Sequence, residues 1–225
     1  MKSRTRIGIL GGTFDPVHLG HVETALAAQR ALDLDRVLLL PSGAPPHRAH
    51  QPFASRFHRF AMVALAVTGH APLEVSDLEI GEPGPSYTFE TLSRLQADGL
   101  TPTQIFFITG ADAFAEIATW SRYPLVLDMA NFVVVSRPGH PAASLCEKLP
   151  SLAARMRLDA RPSEQVAIFL VDAPTPDVSS TEIRRLLETG GAVQGLVPTA
   201  VAVYIDQHGL YTRAGATAST GRSLA

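Results

Sequence analysis

One segment near the start of the chain concentrates residues that can bind an anion. Residues 11–21 read Gly-Gly-Thr-Phe-Asp-Pro-Val-His-Leu-Gly-His and directly follow a short apolar run. Gly11 and Gly12 allow a tight turn and a close approach of the backbone to a ligand. His18 and His21 are three residues apart, so they would share one face of a helical first turn. Because the free amides of such a turn attract anions, the segment predicts a phosphate site.

The same pair of histidines has a second interpretation, as half of a zinc site. Gly20 between them leaves room for a phosphate or nucleotide, which favours the anion site. Zinc would need a third ligand and a fourth, and the sequence offers four candidates: Asp15, Glu23, His47 and His50. The zinc alternative therefore stays open. The chain has no Gly-x-x-x-x-Gly-Lys-Ser/Thr loop, and Gly-x-Gly-x-x-Gly does not follow the first strand, which disfavours ordinary kinase or hydride-transfer chemistry.

A second candidate segment lies about 160 residues further on. Residues 177–185 read Asp-Val-Ser-Ser-Thr-Glu-Ile-Arg-Arg, where Ser179 and Glu182 have the spacing of a capping box. A capping box by itself carries no chemistry. However, Arg184 lies about one turn further along the same helix end. Hydroxyls, amides and a guanidinium together predict a site for a triphosphate or a departing pyrophosphate.

Both segments resemble the signatures of the nucleotidylyltransferase superfamily, Gly-Gly-x-Phe-Asp-Pro-x-His-x-Gly-His and Ser-x-Thr-x-x-Arg, in the family's order. The resemblance implies that the His-x-Gly-His residues hold nucleoside triphosphate phosphates. It implies catalytic roles for His18, His21 and Arg184. It also implies an ATP site made of Gly11, Gly12, Thr13, Phe14, His18, Gly20, His21, Ser179, Ser180, Thr181 and Arg184.

Motifs in the middle of the chain resemble those of bacterial nicotinate-nucleotide adenylyltransferases. The whole resemblance covers residues 6–211, which is nearly the full chain. The matching segments occur in order at residues 45–48 (Pro-Pro-His-Arg), 86–88 (Ser-Tyr-Thr), 110–112 (Gly-Ala-Asp), 119–120 (Thr-Trp) and 136–139 (Ser-Arg-Pro-Gly). The resemblance implies adenylyl transfer from ATP to nicotinate mononucleotide by direct in-line attack, giving deamido-NAD and pyrophosphate in NAD biosynthesis. Mg²⁺ is then expected mainly on the ATP phosphates, and no residue is assigned as a protein ligand to a metal.

The acceptor-binding residues implied by the resemblance each have a structural alternative. Trp120, the only tryptophan, is expected to stack on the pyridine ring; the alternative is packing in the core or at its rim, as for most lone tryptophans. Thr88 begins a helix, whose first amides would bind the nicotinate carboxylate, and Asp112 would accept from ribose hydroxyls; each could instead be a helix cap. Arg48 and His47 are expected near the acceptor phosphate. The family often has lysine where this chain has Arg48, so the cation is kept but its reach differs.

Other functions are compatible with the same motifs. The chain could adenylylate nicotinamide mononucleotide or another phosphorylated acceptor. A non-catalytic nucleotide sensor could also keep this fold. Such a sensor would usually lose a histidine or the arginine of the two signatures, and this sequence keeps all three.

The elements that must position these residues alternate along the chain. Continuous apolar runs predict buried strands at residues 6–10, 37–40, 73–75, 105–108, 132–135 and 166–171, and helical spacing predicts helices at 19–32, 55–68 and 88–97. This pattern predicts an α/β fold of the Rossmann-like, doubly wound type, with a mainly parallel sheet and helices on both faces. Ligands should bind at the carboxyl ends of the strands, where the strand order reverses.

Composition adds limits on the class of protein. We expect residues 1–212 to form a single nucleotidyltransferase domain and residues 213–225 to be a disordered tail. The net charge of −2 does not favour nucleic acid or an anionic membrane as a partner. Cys146 is the only cysteine, so no disulfide can form within the chain. Without a signal segment or a long apolar run, the cytoplasm is the expected location; a homo-oligomer is left open.

Overall fold

The fold is built around one parallel sheet. A computed structural model describes residues 5–45, 52–81, 84–159 and 164–212 of the chain. The strands are β1 (Ile7–Gly12), β2 (Arg36–Pro41), β3 (Leu73–Val75), β4 (Ile105–Gly110), β5 (Asn131–Val135), β6 (Met156–Arg157) and β7 (Ile168–Val171). They pair in the order β3-β2-β1-β4-β5-β7-β6, and every pairing is parallel.

Helices connect and cover the strands. They are α1 (Leu19–Leu32), α2 (Arg56–Val67), α3 (Thr88–Ala97), α4 (Ala111–Ala115), α5 (Leu145–Lys148), α6 (Ser180–Glu188) and α7 (Thr199–Gln207). Short 3₁₀ turns lie at Pro102–Gln104, Ile117–Thr119, Leu125–Asp128, Ala142–Ser144 and Pro150–Arg155.

Each face of the sheet has its own hydrophobic core. On β4, Phe106 and Ile108 pack with α1, α2, α6 and α7, whereas Ile105 and Phe107 pack with α3, α4 and α5. This division follows from the alternation of side chains along a strand. Because both faces are covered, the strands read as continuous apolar runs, and the predicted doubly wound α/β fold is confirmed.

Strand order reverses between β1 and β4. From β1 the chain proceeds to β2 and β3 on one side, and it returns to place β4 on the other side of β1. The loops after these two strands therefore separate and leave a crevice at the carboxyl ends. The crevice begins at Gly11 and Gly12, where the sequence predicted a ligand.

The boundaries of several elements agree with the sequence prediction. α1, α3 and β3 have the predicted limits, and α2 and β2 differ by one residue at each end. The two-residue edge strand β6 and the helices α4, α5 and α7 were not predicted. The expected tail at residues 213–225 lies outside the described residues. No helix in the described parts of the chain has the length and apolar character needed to cross a membrane.

Candidate active site

Helix α1 begins at the predicted phosphate site. His18 is its N-cap residue, with extended backbone (φ −144°, ψ 170°). The backbone N–H of His18 donates to Nδ1 of His21 at 3.2 Å. In the neutral ring of His21 the proton therefore lies on Nε2. His21 thus keeps one N–H group that can donate to a phosphate oxygen.

The two imidazole rings are stacked. Their centroids are 3.6 Å apart at an interplanar angle of 29°, and Phe14 packs edge-on against His21 at 4.9 Å. His18 is 2% exposed, and its Nδ1 atom has no hydrogen-bond partner among the described residues. Stacking places the two rings side by side at the start of α1.

Burial and a neighbouring cation keep both rings neutral. Burial, together with the positive charge of Arg137, lowers the pKa of His18 from 6.5 to about 3. Burial, His18 and Arg137 also lower the pKa of His21 well below its ordinary value. The histidines therefore act as neutral hydrogen-bonding groups in the ligand-free protein, and the arginines supply the positive charge.

Gly20 makes room for His18. A Cβ atom at position 20 would lie 3.0 Å from Nδ1 and 3.1 Å from Cε1 of the His18 ring, and 3.5 Å from the carbonyl oxygen of Pro176. The sequence predicted that glycine leaves room for a ligand. The structure adds a different reason for glycine, because the space beside its Cα is taken by the imidazole itself.

Helix α6 brings the second predicted segment onto the first. Ser179 is its N-cap residue and accepts from the backbone N–H of Glu182 at 3.1 Å. Ser180 Oγ donates to the carbonyl oxygen of Pro16 at 2.9 Å. Arg184 donates through Nη1 to the carbonyl oxygen of Asp15 at 2.6 Å, and through Nη2 to Thr181 Oγ1 at 3.1 Å. The guanidinium is thereby held against the first segment.

Asp15 anchors the loop between β1 and α1. Its side chain is 0% exposed. Oδ2 accepts from the backbone N–H of Phe53 at 2.9 Å, and Oδ1 accepts from Ala54 N–H at 3.1 Å and from the Tyr211 hydroxyl at 2.8 Å. Burial and Asp15 raise the pKa of Tyr211, so its hydroxyl remains a donor. Both carboxylate oxygens are thus engaged in hydrogen bonds.

Arg59 of α2 was missed by the sequence analysis. It is 1% exposed, and its guanidinium donates to the carbonyl oxygens of Thr13 at 2.7 Å, Ala54 at 3.3 Å and Gly43 at 3.3 Å. These three bonds connect the loops that follow β1 and β2. A signal was present, since residues 59, 62, 63 and 66 have the spacing of one helical face and only the first is charged.

A pocket of about 540 Å³ adjoins the glycine turn. Its lining combines the predicted residues Gly11, Gly12, Thr13, Thr88 and Trp120 with residues that the sequence did not single out, among them Ser42, Glu79 and Phe107. The hydroxyl of Ser42 is buried and has no hydrogen-bond partner among the described residues. Most of the surface that lines the pocket is apolar. A few polar groups remain to orient a ligand.

Trp120 and Thr88 lie in this pocket. The indole of Trp120 meets the Phe107 ring edge-on at 5.9 Å and 81° and lies 6.3 Å from Phe132, which fixes its orientation. Thr88 is the first residue of α3, and Tyr87 is the N-cap residue without a side-chain capping bond. The first amides of α3 therefore have no intrahelical acceptor. Both residues occupy positions compatible with a flat, negatively charged ring ligand.

The roles of all the acceptor residues, Trp120 and Thr88 included, stay predictions. Asp112 follows β4 as expected, but it is exposed in the first turn of α4, whose N-cap is Gly110. Among the described residues, the pocket lining does not include Asp112. His47 and Arg48 lie outside the described residues.

Arg137 is a further residue to which the sequence assigned no role. It lines a second recess, of about 480 Å³, with Asp172 and Thr175 at the carboxyl ends of β5 and β7. Its charge acts on both imidazoles. The sequence contained a sign of this role, because Arg137 lies in the Ser-Arg-Pro-Gly segment directly after a buried strand. Arg137 and Arg184 together make this edge of the sheet attractive to polyphosphate.

Protein ligands for a metal ion are not evident in the parts of the chain that the structure describes. Within residues 5–45, 52–81, 84–159 and 164–212, no three His, Cys, Asp or Glu side chains are grouped so as to hold a metal ion. Asp15, one of the zinc candidates, already accepts three hydrogen bonds. The candidates His47 and His50 lie outside the described residues.

Comparison with known proteins finds a matching family and many relatives. A model of the cytidylyltransferase-like family matches residues 9–186. Curated relatives named "Probable nicotinate-nucleotide adenylyltransferase" include proteins of Desulfatibacillum aliphaticivorans (40% identical, covering 92% of this chain and 99% of the relative) and Thermus thermophilus (43%, covering 92% and 99%). A third, from Pseudomonas syringae, is 43% identical and covers 92% of this chain and 93% of the relative.

Solved structures share the fold. Two structures of Plasmodium falciparum nicotinic acid mononucleotide adenylyltransferase, complexed with APC and with NaAD, have TM-scores of 0.68 and 0.69 at 17% and 18% identity. Each comparison covers 92% of this chain and 97% of the other. By the family model and the identity to curated relatives, this chain belongs to the cytidylyltransferase-like family and, within it, to the nicotinate-nucleotide adenylyltransferases.

Proposed function

We propose that this chain transfers the adenylyl group of ATP to the phosphate of nicotinate mononucleotide, giving deamido-NAD and pyrophosphate in NAD biosynthesis. One observation carries the proposal. A single edge of the sheet holds the stacked His18 and His21 with Arg184, and beside them lies a pocket lined by Trp120 and the start of α3. A polyphosphate site next to a site for a flat ring matches the two substrates of this reaction.

The reaction is an in-line displacement. An oxygen of the acceptor phosphate attacks the α-phosphorus of ATP, and the bond from that phosphorus to the oxygen bridging the β-phosphate breaks. A phosphate monoester is already an adequate nucleophile, so no covalent enzyme intermediate is needed. The protein aligns two anions and stabilises charge on the reacting oxygens. The neutral imidazoles donate hydrogen bonds to the phosphates, and Arg184 balances the developing charge.

The pocket selects the acceptor. Trp120 stacks on the pyridine ring, and the first amides of α3 around Thr88 bind the nicotinate carboxylate. A carboxamide would place its own N–H donors against the backbone N–H donors of α3. Binding of the carboxamide compound is therefore disfavoured. Asp112 is proposed to accept from ribose hydroxyls, and Arg48 with His47 to approach the acceptor phosphate.

Mg²⁺ is proposed to enter with ATP. Asp15, three residues before His18, is engaged by three donors, so phosphate oxygens and water would supply most of the ligands. When bound, the ion neutralises charge on the triphosphate. We also propose that residues 1–212 form one nucleotidyltransferase domain and that the protein acts in the cytoplasm.

The first test is an acceptor comparison. The purified protein is incubated with Mg·ATP and separately with nicotinate mononucleotide, nicotinamide mononucleotide or phosphopantetheine, and pyrophosphate and the adenylylated product are measured. Selective turnover of nicotinate mononucleotide supports the proposal. Preference for another acceptor would keep the phosphate site but overturn the pocket assignment. ATP binding without turnover of any acceptor would favour the sensor alternative.

A further inference from the structure

Glu79 is a buried carboxyl group in the wall of the acceptor pocket, and the proposed mechanism does not use it. Its side chain is 8% exposed. It lines the pocket together with Ser86, Thr88 and Trp120. A buried carboxylate is costly unless hydrogen bonds or opposite charge compensate it. The hydrogen-bond partners of Glu79 therefore indicate how its burial is compensated.

These partners lie on α3 and on the segment before it. Thr91 Oγ1 donates to Glu79 Oε1 at 2.6 Å. Burial raises the pKa of Glu79, while hydrogen bonds from the Thr91 and Ser86 hydroxyls and the charge of Arg94 oppose that rise. Glu79 thus connects the end of the segment preceding α3 with the second turn of the helix.

Ser86 extends the network to the loop after β2. Its Oγ accepts from the backbone N–H of Gly43 at 3.0 Å, and its own N–H donates to the carbonyl oxygen of Ala44 at 2.8 Å. Because the Ser86 hydroxyl accepts from Gly43 and donates to Glu79, one hydroxyl group joins two walls of the pocket. The carboxylate of Glu79 is the final acceptor of this chain of hydrogen bonds.

Thr91 has a competing acceptor at the start of α3. Its hydroxyl also lies 3.2 Å from the carbonyl oxygen of Tyr87, the N-cap residue. One hydrogen atom serves both acceptors, and the shorter contact is with Glu79. Replacement of one carboxylate oxygen with an NH2 donor would leave either the Thr91 or the Ser86 hydroxyl without its acceptor on residue 79, so the first turn of α3 would lose its fixed position.

We propose that Glu79 is a positioning residue that determines acceptor specificity: by holding Ser86 and Thr91, it fixes the first amides of α3 against the pocket. This inference rests on the proposed function, because those amides are the proposed carboxylate site. Two fixed N–H donors match a carboxylate and reject the donor group of a carboxamide. If the first turn of α3 is displaced, binding of the carboxylate becomes weaker and discrimination against the carboxamide is reduced.

The test compares Glu79→Gln and Thr91→Val in the full-length chain. KM and kcat are measured for nicotinate and nicotinamide mononucleotides at saturating Mg·ATP, and for ATP at saturating acceptor. We expect KM for the nicotinate compound to rise about 10- to 100-fold, because small misplacements of binding groups have effects of this size. The preference for nicotinate should fall, while KM for ATP should stay within about twofold.

Two controls separate positioning from general destabilisation. Glu74→Gln alters an exposed glutamate on β3 that pairs with Arg36 at 3.3 Å, and it should behave as wild type. Melting temperatures of all variants are recorded. Because Glu79 and Thr91 act along one path, the double variant should lose little more specificity than Glu79→Gln alone. If Glu79→Gln does not fold, Thr91→Val and Ser86→Ala carry the test.

Unchanged acceptor KM and preference in the folded variants would overturn the inference. The inference would also be overturned if kcat/KM fell equally for ATP and for both acceptors together with a lower melting temperature. That result would assign Glu79 a role in stability alone. Wild-type protein that adenylylates no pyridine mononucleotide would instead overturn the proposed function, and with it the premise of this inference.

Discussion

Arg184 donates a 2.6 Å hydrogen bond to the main-chain carbonyl oxygen of Asp15, so the two signature segments meet across 169 residues of sequence. The same guanidinium reaches Thr181 Oγ1 and lies over the Phe53 ring at 4.8 Å. The orientation of this cation therefore depends on the loop after β1 as much as on its own helix.

Lysine cannot reproduce this orientation. In Arg184→Lys the charge is kept, but the planar group that contacts two partners is lost. We expect kcat/KM for ATP to fall about 10²-fold, similar to the loss of one charge-stabilising donor in other enzymes. Steady-state kinetics measure the effect. Arg185→Lys, on the exposed side of the same helix, is the matched control, and equal activities of the two variants would contradict the assignment of Arg184.

The stacked histidines should be needed for turnover. His18→Ala or His21→Ala removes a donor proposed to contact the reacting phosphates, so kcat should fall by about 10²- to 10³-fold. Circular dichroism and melting temperature check that the fold is intact. His140→Ala, at an exposed position, should be silent. Near-normal turnover in both variants would show that this pair is not catalytic.

Position 20 should tolerate a methyl group for folding but not for catalysis. In Gly20→Ala the new Cβ would lie 3.0 Å from Nδ1 of His18, so the ring must shift. Alanine favours a helix over glycine by about 0.5–1 kcal/mol, which offsets part of the crowding. We expect kcat to fall about tenfold or more with little change in melting temperature. Gly81→Ala, where a Cβ meets open space, is the control; unchanged kcat would mean that the His18 position is not critical.

Tyr211 should stabilise the site from the far end of the described chain. Tyr211→Phe removes the 2.8 Å bond to Asp15 Oδ1 and leaves a buried carboxylate with fewer donors. The cost should be about 1.5–3 kcal/mol, typical of a hydrogen bond to a charged group. Urea unfolding measures it. Tyr204→Phe removes a 2.9 Å bond to His58 in a less buried place and should cost less. A smaller cost for Tyr211→Phe than for Tyr204→Phe would contradict the anchoring role of Asp15.

Acidification should destabilise the fold through His18. Its pKa is lowered from 6.5 to about 3, so between these pH values the unfolded chain binds a proton that the folded chain does not. Stability is complete above pH 6.5 and declines as the pH falls, by about 1.4 kcal/mol per unit for this group. The free energy of unfolding is measured with urea at pH 6.5 and at pH 5. It should fall between these pH values by about 1.5–2 kcal/mol less in His18→Asn than in wild type.

The control for the pH experiment is His140→Asn. This histidine is exposed, so its replacement should leave the slope of stability against pH as in wild type. His21 contributes in the same direction as His18 and remains present in both variants. Equal slopes in His18→Asn and wild type would show that His18 is not neutral in the folded protein.

Much of this protein is readable from local sequence. The covered strands appear as apolar runs because both of their faces are buried, and α1 and α3 have clear helical spacing. The two signature segments could be located because their glycines, histidines and arginine are required in fixed local patterns. For the same reason, the sequence predicted that the segments of Gly11, His18 and Arg184 act at one edge of the sheet, and the structure brings these segments together.

Contacts between distant segments were decided only by the tertiary structure. Arg59 became a link between loops because its guanidinium reaches Thr13 and Gly43, which follow β1 and β2. Glu79 gained its partners because α3 packs beside the segment that follows β3, and Tyr211 reached Asp15 across 196 positions. The burial that keeps His18 neutral also comes from packing around α1. Hydrogen bonding and desolvation depend on which groups surround a side chain in space, and residue type and spacing along the chain do not specify those neighbours.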